Sequence, residues 1–310
     1  MNTLKDQLQE TIKDKFGIDI YEWKDIDRPF QYRIITAIVK DKAGEIFFLK
    51  ESKEYTSASD LDKIYTAFED LRNRRPRLVC LPLSYGIGQY GITIQNKTFH
   101  LFNFIELKDL DKNLISFKKL QLVISELHTA IGEKELPVAE NNQFKSLENW
   151  LERPVIYLPE RYGSNLPYVD NYKNFLLTKF KSISLQNGNL HWDISPENVC
   201  MDNGDSVFFI DLEMAHKGPI LFDYIRAASI YLEYHDHKVS ISDDIFNELE
   251  SLASDLSSGM DTESLRFLLS RCVVRNIRGG LMPSSPEEIK PFLVALENFV
   301  LATPPQKLSL

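Results

Sequence analysis

Two short apolar runs, Val199-Cys200-Met201 and Ser206-Val207-Phe208-Phe209-Ile210, flank the turn-forming stretch Asp202-Asn203-Gly204-Asp205. That pattern reads as a tight β-hairpin. Pairing about the turn sets Asn198, just before the first strand, beside Asp211, just after the second. Upstream, Pro196 stops a helix and keeps residues 191 to 198 as a loop, so Asp193 returns over the same end. Two acids and an amide are therefore expected to converge at one end of a rigid unit.

The first third of the chain reads as a helix, a sheet and a second helix. Leu4, Leu8 and Ile12 mark one face of an opening helix that Gly17 terminates. Residues 34 to 40 and 45 to 50 read as strands around Asp41-Lys42-Ala43-Gly44, the start of an antiparallel sheet, with Lys50 closing the second strand. Leu61, Ile64, Tyr65, Phe68 and Leu71 have helical spacing, and with Ser57 or Ser59 as cap they predict a helix from about 58 to 73. Gly86-Ile87-Gly88-Gln89-Tyr90-Gly91 fits G-x-G-x-x-G, but residues 92 to 95 and 98 to 104 read as strands and no helix follows. It is assigned to a loop and hairpin rather than to a phosphate cradle.

Beyond residue 106 the pattern turns helical. Phe117, Leu120, Val123, Ile124 and Leu127 share one face and end at His128, and further helices are predicted at about 243 to 257, 262 to 278 and 286 to 302. Arg271, Arg275 and Arg278 are expected on the surface. His235-Asp236-His237 is read as a solvated loop, because successive residues rarely converge on one ion.

A chain of 310 residues with 43% hydrophobic and 26% charged side chains can bury a sizeable core in two lobes. No apolar run approaches the roughly 18 residues that cross a bilayer, and the charged opening does not resemble a signal peptide. No membrane partner and a cytoplasmic setting are expected. The net charge of −9 argues against nucleic acid as a partner. Cys80, Cys200 and Cys272 lie far apart without zinc-site spacing and are read as reduced core residues.

His191-x-Asp193, Asn198 and the strand-end Asp211 together resemble the catalytic core of the kinase-like small-molecule phosphotransferases, the family of aminoglycoside phosphotransferases and choline kinases. The layout agrees over most of the chain, while the specific motifs lie within residues 191 to 226. The resemblance implies an α+β, bilobal protein-kinase-like fold. Its N-lobe, residues 1 to 105, would hold the nucleotide on a small antiparallel β-sheet with one main helix; its mostly helical C-lobe, residues 106 to 310, would carry the catalytic loop and the acceptor site.

Position by position, Asp193 matches the catalytic base and His191 the residue that opens the catalytic loop. Asn198 and Asp211 match the ligands of Mg²⁺, and Lys50 matches the lysine on the α and β phosphates of ATP or GTP. Glu69 is the choice for the helix carboxylate that positions the lysine, with Glu54 and Asp62 as rivals. Main-chain groups of Asn103, Phe104 and Ile105 would meet the purine edge, while His128 and Asp223 match structural residues. Glu213 would reach a metal through water only if extended geometry continued past Asp211. In the family the segment 141 to 187, with Trp150, Tyr157, Tyr162, Tyr168 and Phe175, helps shape the acceptor pocket, although such aromatic stripes are more often core.

These residue types suit phosphoryl transfer. Its loose transition state spreads charge over the phosphoryl oxygens, so catalysis is mainly positioning and electrostatic stabilisation. The short stretch from Asp211 to Asp223 has no room for an activation segment, which favours a small-molecule hydroxyl over a protein as acceptor. The expected activity is Mg-dependent transfer of the γ-phosphoryl group to an antibiotic such as an aminoglycoside, to choline, or to a sugar or amino-alcohol metabolite. Two departures motivate an alternative, a catalytically silent kinase-like nucleotide-binding or regulatory protein. The segment Lys24 to Gln31 has no glycine, offering Arg28 and Gln31 instead, and Trp192 stands where the family commonly has glycine.

Overall fold

The computed structural model describes residues 3–26, 35–52, 57–75, 78–106, 108–132, 134–137, 146–164, 166–201, 206–275 and 286–302. Helix α1 (Leu4–Phe16) starts from a capping box between Thr3 and Asp6 and stops at Gly17, whose φ of 71° is left-handed. Strands β1 (Ile20–Asp25), β2 (Thr36–Asp41), β3 (Ile46–Glu51), β4 (Gly91–Ile94) and β5 (Lys97–Asn103) form one sheet in the order β1-β2-β3-β5-β4. Every neighbouring pair is antiparallel. Ala37, Val39, Phe47, Leu49, Phe99 and Leu101 fill one face against Leu8 and Ile12 of α1. Register sets Lys50 between Thr36 on β2 and His100 on β5.

Helix α2 (Ala58–Arg74) begins at Ser57, whose hydroxyl accepts from the Asp60 amide. The side chains that its spacing predicts, Leu61, Ile64, Tyr65, Phe68 and Leu71, are all buried. They do not join the sheet's core but belong to the larger apolar core of the helical half.

That half contains β6 (Lys108–Asp109), α3 (Phe117–Ile131), α4 (Leu147–Tyr162), α5 (Pro167–Thr178), β7 (Ser184–Leu185), β8 (Asn187–Leu190), β9 (Val199–Met201), β10 (Val207–Phe209), β11 (His216–Pro219) and α6 (Leu221–Ser229). The hairpin β12 (Glu233–His235) and β13 (Lys238–Ser240), α7 (Asp243–Leu256), β14 (Ser257–Ser258), α8 (Thr262–Arg275) and α9 (Pro286–Leu301) complete it. The fold is α+β, a small antiparallel sheet joined to a mostly helical lobe. No described helix is long and apolar enough to cross a membrane.

One expectation about this lobe is overturned. Arg271 is buried rather than on the surface, with its guanidinium 4.3 Å from the Trp150 ring and its Nε donating to the Trp150 carbonyl at 2.7 Å. Pro154 lies four residues after Trp150 inside α4. Proline has no N–H, so the carbonyl of Trp150 loses its helical donor and Arg271 supplies one. The Arg275 side chain and Arg278 lie outside the described residues. Trp150, Tyr168 and Phe175 are core, and Tyr157, half-buried, donates its hydroxyl to the Val274 carbonyl at 2.8 Å. His235-Asp236-His237 forms the tight end of the β12–β13 hairpin, with Asp236 and His237 at positive φ. None of the three cysteines is in a disulfide, and burial pushes the Cys80 thiol up to about 11.

Candidate active site

The loop of residues 191 to 198 lies between β8 and β9, and its ends are tied to the hairpin as the residues require. Phe209 pairs with Val199, and the Ile210 amide donates to the Asn198 carbonyl at 3.0 Å, which brings Asn198 and Asp211 to the same end. The turn Asp202 to Asp205 itself lies outside the described residues.

One face of α6 holds this loop in place. Asp223 is fully buried; one carboxylate oxygen accepts the His191 amide and the other the Trp192 amide, at 2.8 and 2.9 Å. The first oxygen also takes His128 Nε2 at 2.8 Å, which joins α3 to the loop. Burial pushes this carboxyl up, but the His128 bond, the nearby histidines and the His191 amide outweigh it and hold the carboxyl below its ordinary value. Arg226, one turn further along α6, donates to Asp193 Oδ1 at 2.6 Å and to the Ile194 carbonyl at 3.3 Å. The spacing of three residues sets both side chains on the same face.

Asp193 is thus held on both sides. Arg226 occupies one oxygen, and Asn198 Nδ2 donates to the other at 3.0 Å and to the Asp193 carbonyl at 2.9 Å. His191, the expected loop-opening catalytic residue, is completely buried. Its Nδ1 accepts the Asp193 amide at 3.2 Å, which leaves Nε2 to donate to the Ile210 carbonyl at 3.0 Å. Both ring nitrogens are spent on main chain away from solvent, and the ring links the loop to Ile210, just after β10.

Trp192 has φ of 68°, a left-handed conformation that favours glycine. Its indole is 1% exposed and packs edge-on to His216 and Trp150, with centroids 4.9 and 5.8 Å away. The Trp192 amide bond to Asp223 fixes the same geometry.

Asp211 also lies in the left-handed region, with φ of 58°, and opens a 3₁₀ turn over Leu212–Met214. That turn, not strand alternation, directs Glu213 back into the site. Lys50 Nζ is 2.8 Å from Asp211 Oδ1 and 2.8 Å from Glu213 Oε1. The sheet and the segment after the hairpin thereby meet at this pair of contacts.

Glu69 does not reach Lys50. Its two oxygens accept from Tyr90 Oη at 3.0 Å and Arg72 Nη2 at 3.2 Å. The cause is the buried face of α2: Tyr65 and Phe68 point inward, and Glu69 is turned toward the loop before β4. Of its rivals, Asp62 accepts the Tyr90 amide at 3.2 Å, and Glu54 lies outside the described residues. Asn103, Phe104 and Ile105 end β5 and run into the connection to β6, with Phe104 and Ile105 exposed at 41% and 39%. Lys24, Asp25 and Ile26 are described, whereas Arg28 and Gln31 lie outside the described residues.

The donor set fits Mg²⁺ presented together with phosphates. Asn198 spends its amide nitrogen on Asp193, which leaves its carbonyl oxygen as the atom suited to a cation. Asp211 follows Ile210, whose amide is bonded to the Asn198 main chain. Among the described residues no three His, Cys, Asp or Glu side chains converge on a point. One acid and one amide suit a cation that keeps waters and takes its other oxygens from a nucleotide.

Arg226 and the role of Glu213 were not legible beforehand. The helical spacing from Asp223 was the available signal for Arg226; for Glu213 nothing in the residues announced the 3₁₀ turn.

A model of the phosphotransferase enzyme family matches residues 39–240. No curated protein matches the chain. Among solved structures, a spectinomycin phosphotransferase in complex with ADP and spectinomycin is 14% identical, with 96% of this chain and 97% of that one covered and a TM-score of 0.55. The amicoumacin kinase hAmiN, in complex with AMP-PNP and Ca²⁺, is 12% identical with 97% of each chain covered and a TM-score of 0.57. The choline kinase LicA from Streptococcus pneumoniae is 13% identical, with 96% and 98% covered and a TM-score of 0.52. Such identities bear on the fold, which is the one these kinases share. With about two thirds of its length matched by the family model, the chain belongs to the phosphotransferase enzyme family.

Proposed function

We propose that this protein moves the γ-phosphoryl group of ATP or GTP to a hydroxyl of a small molecule, with Mg²⁺ as the required ion. The observation that supports this reading is that the Asp193–Asn198 and Lys50–Asp211 pairs lie at the same end of the β9–β10 hairpin, joined by the Ile210 amide on the Asn198 carbonyl. Mg²⁺, when bound, would neutralise charge on the phosphates, held by Asp211 and the Asn198 carbonyl. Lys50 would contact the α and β phosphates, and main chain at Asn103 to Ile105 the purine edge. Asp193, fixed by Arg226 and Asn198, orients the acceptor hydroxyl and accepts its proton late in transfer. Residues 1–105 form the nucleotide lobe in this reading and 106–310 the catalytic and acceptor lobe.

After Asp211 the chain turns directly into β11, which pairs with β8, and then into α6. That segment is committed to the fold and presents no platform for a protein substrate. A small hydroxyl compound, such as an antibiotic, choline, or a sugar or amino-alcohol metabolite, is the acceptor class. The supply of nucleoside triphosphate makes the cytoplasm the setting.

The test is a phosphorylation screen over antibiotics and metabolites with Asp193→Asn as control. Asparagine keeps an acceptor for Arg226 but takes no proton, so nucleotide affinity should stay within about two-fold while turnover falls by about 10² to 10⁴. Equal turnover of the two proteins on any acceptor would remove Asp193 as base. Nucleotide binding without transfer to any acceptor would support the catalytically silent alternative.

A further inference from the structure

Helix α2 brings no carboxylate to Lys50, because Glu69 is held by Tyr90 and Arg72 and Asp62 by the Tyr90 amide. Its inner face is instead apolar and phenolic, and Tyr65 is buried against His100 with ring centroids 5.0 Å apart. Burial and then the charges of Glu213 and Asp211 hold the Tyr65 phenol well above its ordinary value, so it stays a neutral neighbour of that cluster. The apolar face of α2 is built into the core of the large lobe.

The two carboxylates on Lys50 are not equivalent. The side chain of Asp211 is 17% exposed and that of Glu213 is 1% exposed, although each lies 2.8 Å from the ammonium. The outer carboxylate can turn to a metal. The inner one is closed off from solvent beside the lysine. A lysine stem has four rotatable carbons, so its ammonium needs such a fixed partner to be held toward a phosphate.

We propose, resting on the phosphotransferase reading above, that Glu213 is the positioning residue for Lys50, in place of a carboxylate from α2. The phosphate-binding lysine and the metal-binding acid are then tied to a single 3₁₀ turn of the large lobe. Lysine alignment is set by that turn and does not depend on the position of α2.

The test compares Glu213→Gln, Glu69→Gln, Lys50→Ala and the Lys50→Ala/Glu213→Gln double variant in the full chain, each checked for folding by thermal melting. Mg-ATP and Mg-GTP affinity is measured by calorimetry. Glu213→Gln and Lys50→Ala should each weaken binding about ten-fold, the size of one charge-assisted contact to phosphate. The double variant should match Lys50→Ala within about two-fold, because both changes remove the same interaction. Glu69→Gln should have the smaller effect. Full additivity in the double variant, or a loss in Glu69→Gln equal to that in Glu213→Gln, overturns the assignment.

A second readout needs no nucleotide: the rate at which Lys50 is acylated by acetic anhydride, followed by peptide mass spectrometry. Glu213→Gln should raise it several-fold and Glu69→Gln should leave it unchanged. An unchanged rate in Glu213→Gln rejects the inference. If the wild type binds neither nucleotide but the acylation shift appears, the phosphotransferase reading fails and the positioning role stands.

Discussion

Replacing Asp223 with asparagine tests whether one buried carboxylate holds the catalytic loop. Asp223 is fully buried and accepts three donors: the amides of His191 and Trp192 and Nε2 of His128. Asparagine keeps the shape but exchanges one oxygen for an NH₂ that faces a donor. At least one donor then loses its acceptor, at about 1–3 kcal/mol, and the remaining bonds lose their charge-assisted part, about 1–2 kcal/mol more. The sum, about 2–5 kcal/mol, overlaps the size found when a buried charge pair is broken from one side. Urea unfolding at pH 7 should show a lower midpoint with an unchanged slope. Because the folded carboxyl titrates below its ordinary value of 3.8, its contribution is complete above that value and is lost as pH falls through the folded one. The carboxyl's own part of the gap between wild type and variant should therefore be lost only below about pH 4. A loss under about 1 kcal/mol at pH 7 would refute the clamp.

Three further outcomes are expected. Trp192→Gly relieves a left-handed backbone, worth about 1–2 kcal/mol, but removes a buried indole worth about 3–5 kcal/mol, so melting should show net destabilisation; a variant more stable than wild type would contradict the packing argument. Burial, then the charge of Lys50, depresses His100 to about 3, so this ring is neutral in the fold and its contribution is lost as pH falls below the unfolded value of 6.5. Between pH 7 and pH 5 the protein should lose about 2 kcal/mol on this account, a slope that His100→Gln should flatten in paired melts, and an unaltered slope would exclude His100 as its source. Asp211→Asn removes the carboxylate proposed to hold the ion with Asn198 and should raise the Mg²⁺ concentration needed for nucleotide binding at least about ten-fold; the same Mg²⁺ requirement in both proteins would remove Asp211 as the ligand.

The elements with strong local patterning were legible in the residues. The helix expected at 58 to 73 forms at Ala58–Arg74, and the last two helices begin at Thr262 and Pro286 as predicted. Strands β8 and β11 were not foreseen, because each is short and finds its partner only after the catalytic loop and the Asp211 turn have been placed. Arg271 shows the same limit. An arginine on a helix reads as surface until α4 offers a carbonyl that Pro154 has orphaned.

The residues alone pointed to Asn198 and Asp211 at one end of a hairpin, since two β-forming runs flank a stretch of turn residues, and to Pro196 keeping the preceding loop open. Which side chains hold the acids was decided by tertiary structure. Arg226 reaches Asp193 and Glu213 reaches Lys50 because α6 packs beneath the loop and a left-handed Asp211 reverses the chain. Contacts between residues far apart in sequence carry no local periodicity, so they come into being only when the core closes.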